Sequence, residues 1–218
     1  MFQVSKAAGT AASAPSAADM AAINRYTRTP LEPADVYVFS VHACDDRPDR
    51  DGERFTAECL AALAPLYLGK PMICDHAWLA ANQVARIYRA EVVKDGTAAV
   101  LRLDVYMPRN AETQPVIDKI EAGILKEVSV GCSIAKATCS VCGQPYGTCS
   151  HERGRTYDGK PCVVELSEPT DAYEVSFVAV PAQPAAGVCK GAEPDKAQMS
   201  TLSLDDAKRR LRLEKNRF

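Results

Sequence analysis

The sequence lacks two features that would point to membranes or nucleic acid. It has no uninterrupted apolar run of the roughly 18 residues that a membrane-spanning helix needs. Its formal net charge is only −2, so the chain as a whole has no field that would attract polyanions. Pro15 and Asp19 interrupt the alanine-rich and serine-rich beginning of the chain, so we predict no secretory signal. These absences indicate a cytoplasmic globular protein.

Apolar residues, in contrast, are plentiful. They make up 47% of the 218 residues, which is enough for one core of ordinary size. Residues 1–30 lack apolar periodicity, so we predict an Ala/Ser-rich disordered tail there. We then predict one domain over 31–189, and a polar linker followed by a basic C-terminal helix over 190–218.

Alternating and β-branched segments predict a mainly antiparallel sheet. The predicted strands are 36–41, 84–93, 98–107, 126–134, 162–166 and 173–180. Asp95-Gly96 is a hairpin signal between the second and third of them. Apolar residues at helical spacing predict helices over 55–68, where Pro65 should kink or end the helix, and over 115–125. The fold class predicted from these elements is α+β.

The strand over 126–134 contains a candidate nucleophile. Apolar and polar residues alternate along it, so Ser129 lies on its polar face. Gly131, two residues further on, lets another backbone or a substrate come close. A serine at such a position can act as a nucleophile. Cys132 is a rival, although it lies on the apolar face, and Ser133 is a second rival on the face of Ser129.

The sequence has only three histidines, so few side chains can serve as the general base that a serine nucleophile needs. His76 follows a short apolar run and lies in a predicted loop. His42 follows the first predicted strand, and His151 lies among cysteines. A later strand carries an acid, Glu174. The order along the chain is therefore a loop histidine, a strand serine and a strand carboxylate.

Four segments around these residues resemble the prohead serine proteases of tailed bacteriophages. These enzymes mature the capsid and are distantly related to the herpesvirus assemblins. The segments are DRDGERF (49–55), GKPMICDH (69–76), EAGILKEVSVG (121–131) and YEVSFVAVPA (173–182), and the resemblance covers roughly residues 35 to 188. It implies an assemblin-like, β-barrel-like core surrounded by helices, with the nucleophile on a barrel strand.

The resemblance also implies roles for the residues. Ser129 would attack the scissile carbonyl, and His76 would take its proton. A third group must hold the imidazole in one tautomer, and we predict Glu174. The assemblins use a second histidine there, so His42 is one alternative, and Asp171 is another.

The resemblance implies protein substrates as well. The expected substrates are the scaffold and major capsid protein, and the chain itself, inside an assembling procapsid in the host cytoplasm. Association into a homo-oligomer is a further expectation, whereas membrane and nucleic acid are not expected partners.

Nine cysteines in a cytoplasmic chain indicate metal ligands or buried thiols rather than disulfides. Five potential ligands fall within 24 residues: Cys139, Cys142, Cys149, His151 and Cys162. The Cys139–Cys142 spacing, with Gly143 after it, is typical of a knuckle around tetrahedral Zn²⁺. The first four are our preferred ligands, and Cys162 in place of Cys149 or His151 is the alternative. Four protein ligands leave no open position, so we predict a structural Zn²⁺ in an insertion over 135–165. This insertion resembles the zinc-ribbon-like insertions of some phage proteases.

A non-enzymatic protein is the alternative function. It would bind scaffold or take part in capsid assembly through the same zinc-stapled segment, and it predicts processing that is indifferent to Ser129 but lost with Cys139 or Cys142. A zinc-dependent nucleic-acid binder is a weaker hypothesis. Arg153 and Arg155 lie near the cysteines, but no recognition helix of the usual finger spacing follows.

Overall fold

A computed structural model describes residues 14–189. Its helices are α1 (Ala17–Ile23), α2 (Ala57–Tyr67) and α3 (Gln114–Glu121). Its strands are β1 (Val36–Asp45), β2 (Glu53–Phe55), β3 (Pro71–Cys74), β4 (Ala85–Asp95), β5 (Ala98–Pro108), β6 (Val128–Cys139), β7 (Thr156–Tyr157), β8 (Lys160–Pro161), β9 (Val164–Phe177) and β10 (Gly187–Val188). Within residues 14–189, none of the helices is both long enough and apolar enough to cross a lipid bilayer.

One large, mostly antiparallel sheet forms the framework, as an α+β fold requires. Its strand order is β10-β1-β5-β4-β3-β9-β2, and β6 pairs with β9 outside this path. Two pairs are parallel, β2 with β9 and β3 with β9. The strands of residues 14–189 do not close into a barrel, because β10 meets the chain just before β6, at an isolated bridge between Gly187 and Glu127, and does not pair with β6 itself.

The sheet and α2 share one core. Leu60, Leu63 and Tyr67 of α2 are fully buried in this core. Thr56 caps the start of α2 by accepting a hydrogen bond from the backbone N–H of Cys59 (3.1 Å). The helix contains Pro65 and ends at Tyr67, close to the predicted end at 68, and Gly69 follows at a φ of 75°, a conformation common just after helix ends. The predicted hairpin is also confirmed, as β4 and β5, with Gly96 at a φ of 61° in its turn.

The prediction of a disordered tail over 1–30 is wrong for α1. Ser16 and Asp19 form a capping box at its start, and Met20 and Ile23 are buried beside Tyr88. The Asp19 carboxylate also pairs with a strand residue, Arg89, at 2.8 Å. These long-range contacts supply the burial that the local composition did not indicate. The part of the predicted tail before residue 14, and the predicted linker and helix after residue 189, lie outside the described residues.

The two strands predicted over 162–166 and 173–180 are one strand, β9. Its middle part, from Ser167 to Asp171, is mostly polar and contains no buried residue, so the alternation of apolar and polar residues that marks a half-buried strand is lost there. Pairing with β6 nevertheless continues through this part, with two irregularities in register. Glu168, at a φ of 58°, lies in the irregular part.

Candidate active site and candidate metal centre

The candidate catalytic residues lie on two adjacent strands, β6 and β9, and in the loop after a third, β3. β9 lies between β3 and β6, and it pairs Ser176 with Ser129 and Glu174 with Gly131. Residues that face each other across such a ladder project to the same side of the sheet. Ser129, Glu174 and Ser176 therefore share one face.

His76 lies in the loop that follows β3, and its ring reaches the buried acid. Its Nδ1 is 2.8 Å from Oε1 of Glu174, whose side chain is 3% exposed, whereas the side chain of His76 is 41% exposed. The ring is thus anchored on one side and open to solvent on the other. A dyad with this geometry can accept a proton from a neighbouring hydroxyl.

The backbone that presents His76 has an unusual conformation. Asp75 and His76 have φ angles of 55° and 52°, a region that non-glycine residues rarely occupy. Two hydrogen bonds to β9 hold this turn: Asp75 N–H donates to the carbonyl of Phe177 (2.9 Å), and His76 N–H donates to Oγ of Ser176 (3.0 Å). Such conformations persist only where the surroundings enforce them, and they cluster at functional sites.

Both oxygens of Glu174 are engaged. Oε1 faces Nδ1 of His76, and Oε2 accepts the hydroxyl hydrogen of Ser176 at 2.6 Å. An ionised carboxylate accepts hydrogen bonds only, so this network assigns the proton of the neutral imidazole to Nδ1. The Nε2 of His76 is then free to accept a proton.

Ser129 lies beside this network, half-buried and directly opposite Ser176. Directly opposed Cβ atoms in an antiparallel pair lie about 4.5–5.5 Å apart. Among the hydrogen bonds of residues 14–189, none joins Ser129 Oγ to His76. Catalytic hydrogen bonds are often long in free enzymes and shorten when substrate binds. The site thus brings His76 and Glu174 into contact and places Ser129 on the same face.

Gly131 makes room for the carboxylate. A Cβ at this position would lie 3.2 Å from Cδ of Glu174 and would overlap Oε1. The sequence predicted that this glycine allows a close approach by a backbone or a substrate. The group that approaches closely is the side chain of Glu174.

Gly131→Ala is expected to displace the Glu174 carboxylate and break its contact with His76. Because Glu174 would lose charge-assisted hydrogen bonds, the free energy of unfolding should fall by about 1–3 kcal/mol. Urea unfolding followed by circular dichroism measures this change. The matched control is the same substitution in a Glu174→Ala background, where no clash remains and the penalty should be near zero. An equal penalty in both backgrounds would contradict the proposed cause.

The rival nucleophiles have other environments. Cys132 is half-buried and packs against the core, and burial raises the pKa of its thiol, which favours the unreactive neutral form. The hydroxyl of Ser133 is hydrogen-bonded to the hydroxyl of Tyr173. Among the hydroxyl groups of β6, that of Ser129 is therefore the best candidate, because Ser129 pairs with Ser176, two residues from Glu174 on the same face.

The rivals of Glu174 as the orienting group lie elsewhere. Asp171 pairs with Lys70 at 3.1 Å. His42 lies on β1, opposite Arg102 of β5, and burial lowers its pKa. Sequence reasoning did not assign a role to Ser176, although its place two residues after Glu174 puts both on one face of the strand.

The metal-ligand candidates converge at the other end of the β6–β9 pair. One ligand atom from each of Cys139, Cys142, Cys149 and His151 lies within 4.8 Å of all the others. This is the preferred set from the sequence. Cys162 is adjacent, with its Sγ 3.8 Å from Sγ of Cys139.

Two features of this cluster suit a metal ion. The Nδ1 of His151 is buried and has no hydrogen-bond partner, as a nitrogen that ligates a metal would. Burial raises the pKa of the Cys139 thiol, but hydrogen bonds from the backbone N–H groups of Cys142 and Val141 and from the thiols of Cys162 and Cys142 together lower it to about 6. The thiolate is the form that binds metal. The cluster could therefore hold a metal ion.

Comparisons with models of known protein families and with curated protein sequences find no match to this chain. The arrangement of side chains in residues 14–189 is thus the basis on which a function can be proposed.

Proposed function

We propose that the chain is a serine endopeptidase in which Ser129 is the nucleophile, His76 the general base and Glu174 the group that orients the base. One observation carries this proposal. The buried carboxylate of Glu174 holds Nδ1 of His76 at 2.8 Å, on the face of the β6–β9 pair that also bears Ser129. A nucleophile, a base and an orienting group are the parts that acyl transfer needs.

The proposed reaction proceeds through an acyl-enzyme. Ser129 Oγ attacks the scissile carbonyl carbon while Nε2 of His76 takes the hydroxyl proton. His76 then gives this proton to the leaving amine, and the C–N bond breaks. Water attacks the resulting ester with His76 again as the base, which releases the acid product and restores Ser129. Throughout, Glu174 keeps the Nδ1 proton in place and stabilises the imidazolium that forms.

The proposed substrates are folded or assembling proteins: the scaffold, the major capsid protein and the chain itself during procapsid maturation. The four segments of residues 49–55, 69–76, 121–131 and 173–182 support this choice, since they occur in the order expected for prohead proteases. An exposed apolar surface also suits a peptide substrate. Trp78 is 67% exposed, packs at 5.2 Å on Tyr173 and follows His76 closely.

The proposed metal is a structural Zn²⁺. Three thiolates and an imidazole are a usual tetrahedral donor set for zinc, and they fill its coordination sphere. Cys139 ends β6, and the other three ligands lie in the segment that leads from β6 to β9, so the ion would hold this segment against the end of β6. It would stabilise the segment without taking part in the reaction.

Labelling by a fluorophosphonate probe tests the catalytic assignment. The probe phosphonylates an activated serine, so mass spectrometry of the purified chain should find one adduct, on Ser129. His76→Ala should nearly abolish the labelling because the base is lost, whereas Ser133→Ala should leave it unchanged. An adduct on Ser133, or no adduct at all, would contradict the proposal.

A further inference from the structure

Ser176 is fully buried between the base and the acid of the proposed site. Its relative exposure is 0%, and its side chain lies on the same face of β9 as that of Glu174. The proposed reaction as described so far gives it no part. Buried hydroxyl groups are almost always hydrogen-bonded, so the hydrogen-bond partners of Ser176 indicate its role.

The two hydrogen bonds of Ser176 join two different elements. Its O–H donates to Oε2 of Glu174 at 2.6 Å, and its Oγ accepts the backbone N–H of His76 at 3.0 Å. A hydroxyl has one hydrogen to donate and two lone pairs, so both bonds form at once without conflict. One oxygen atom therefore links the acid on β9 to the backbone of the loop that carries the base.

Both linked groups need support. His76 has a φ of 52° and Asp75 a φ of 55°, so their turn depends on contacts with its surroundings. The Glu174 carboxylate is nearly inaccessible to water, so the Ser176 hydroxyl supplies a hydrogen bond that solvent would otherwise provide. With Oε2 occupied by Ser176, Oε1 is directed at Nδ1 of His76.

We propose that Ser176 is a positioning residue that fixes the His76–Glu174 pair in its working geometry. It acts through those two side chains and does not touch the substrate. Its hydroxyl sets the rotation of the Glu174 carboxylate and, at the same time, the place of the His76 main chain. The protonated Nδ1 and the free Nε2 follow from that arrangement. The effect of Ser176 on catalysis rests on the proposed function, whereas its effect on the geometry of His76 and Glu174 does not.

Ser176→Ala removes only the oxygen atom, so the chain should fold. With fluorophosphonate as the probe, the maximal rate of Ser129 labelling should fall about 100-fold, as expected when a base is slightly misplaced. The concentration of probe that gives half the maximal rate should change by less than about threefold, because Ser176 does not contact the probe. Ser176→Thr keeps the hydroxyl and should recover most of the rate. Equal loss in the Ala and Thr variants, or a rate within about twofold of the parent in Ser176→Ala, would overturn the proposal.

A second measurement does not depend on peptidase activity. The chain has three histidines, so ¹⁵N-histidine labelling gives three ring systems, and His76→Gln identifies the one of interest. The nitrogen chemical shifts of neutral His76 should show the Nδ1-protonated tautomer in the parent and a mixture of tautomers in Ser176→Ala. If the tautomer changes in this way but the fluorophosphonate labels Ser129 in neither protein, the result would support the positioning role and reject the peptidase. An unchanged tautomer in Ser176→Ala would reject the positioning role, even if labelling slowed.

Discussion

Replacement of Ser129 by alanine is expected to lower the rate of peptide-bond cleavage by about 10⁴- to 10⁶-fold, because the proposed nucleophile is removed. The fold should be unaffected. Ser129 is only half-buried, and within residues 14–189 its hydroxyl takes part in none of the hydrogen bonds. The free energy of unfolding should therefore stay within about 0.5 kcal/mol of the parent value. Co-expression with major capsid protein, followed by mass spectrometry of the products, measures the loss of processing.

Ser133→Ala is the matched control for this experiment. It removes a hydroxyl from the same face of the same strand, and its loss should leave processing unchanged. Continued processing by the Ser129→Ala protein would reject the peptidase. If processing were indifferent to Ser129 but lost with Cys139→Ser, the non-enzymatic assembly protein would be the better explanation.

Removal of the metal is expected to have the second large effect. Structural zinc supplies on the order of 10 kcal/mol of binding free energy in small zinc modules. The segment between Cys139 and Cys162 has few buried apolar side chains, so chelation or Cys139→Ser should unfold it. The protein as purified should contain one zinc per chain by elemental analysis. Cys139→Ser should contain almost none and should melt at a lower temperature.

Two further variants make the metal prediction specific. Cys189→Ser removes a half-buried thiol outside the cluster and should change neither zinc content nor melting temperature. Cys162→Ser distinguishes between the two ligand sets. It should retain zinc if Cys149 and His151 both bind, and it should lose zinc if Cys162 replaces either of them. A parent protein that contains no zinc and resists chelators would contradict the metal site.

The long-range contact between His76 and Glu174 could not be read from local patterns. The two residues are 98 positions apart, and their contact depends on the parallel pairing of β3 with β9. Parallel pairing between distant segments leaves no short-range signal, because no turn joins the strands. The role of Gly131 was missed for the same reason, since its close neighbour comes from another strand.

Local periodicity was sufficient for several parts of this protein. It predicted the hairpin of β4 and β5, the helix α2 with its end after Pro65, and the face of β6 on which Ser129 lies. These features depend on alternation, capping and turn residues that are close together in the chain. The cluster of Cys139, Cys142, Cys149 and His151 could also be predicted locally, because two thiols separated by two residues and a following glycine fold around one point.

Pairing between remote strands accounted for much of the rest. It kept the polar middle of β9 extended, and it brought a loop histidine, a buried carboxylate and the unassigned hydroxyl of Ser176 into one hydrogen-bonded group. Packing of Met20 and Ile23 beside Tyr88 of β4 buried α1 in spite of its alanine-rich composition. Side-chain alternation predicts which face of its own strand each residue occupies. Which residues of different strands become neighbours depends on the register of strand pairing, and register is a property of the folded sheet.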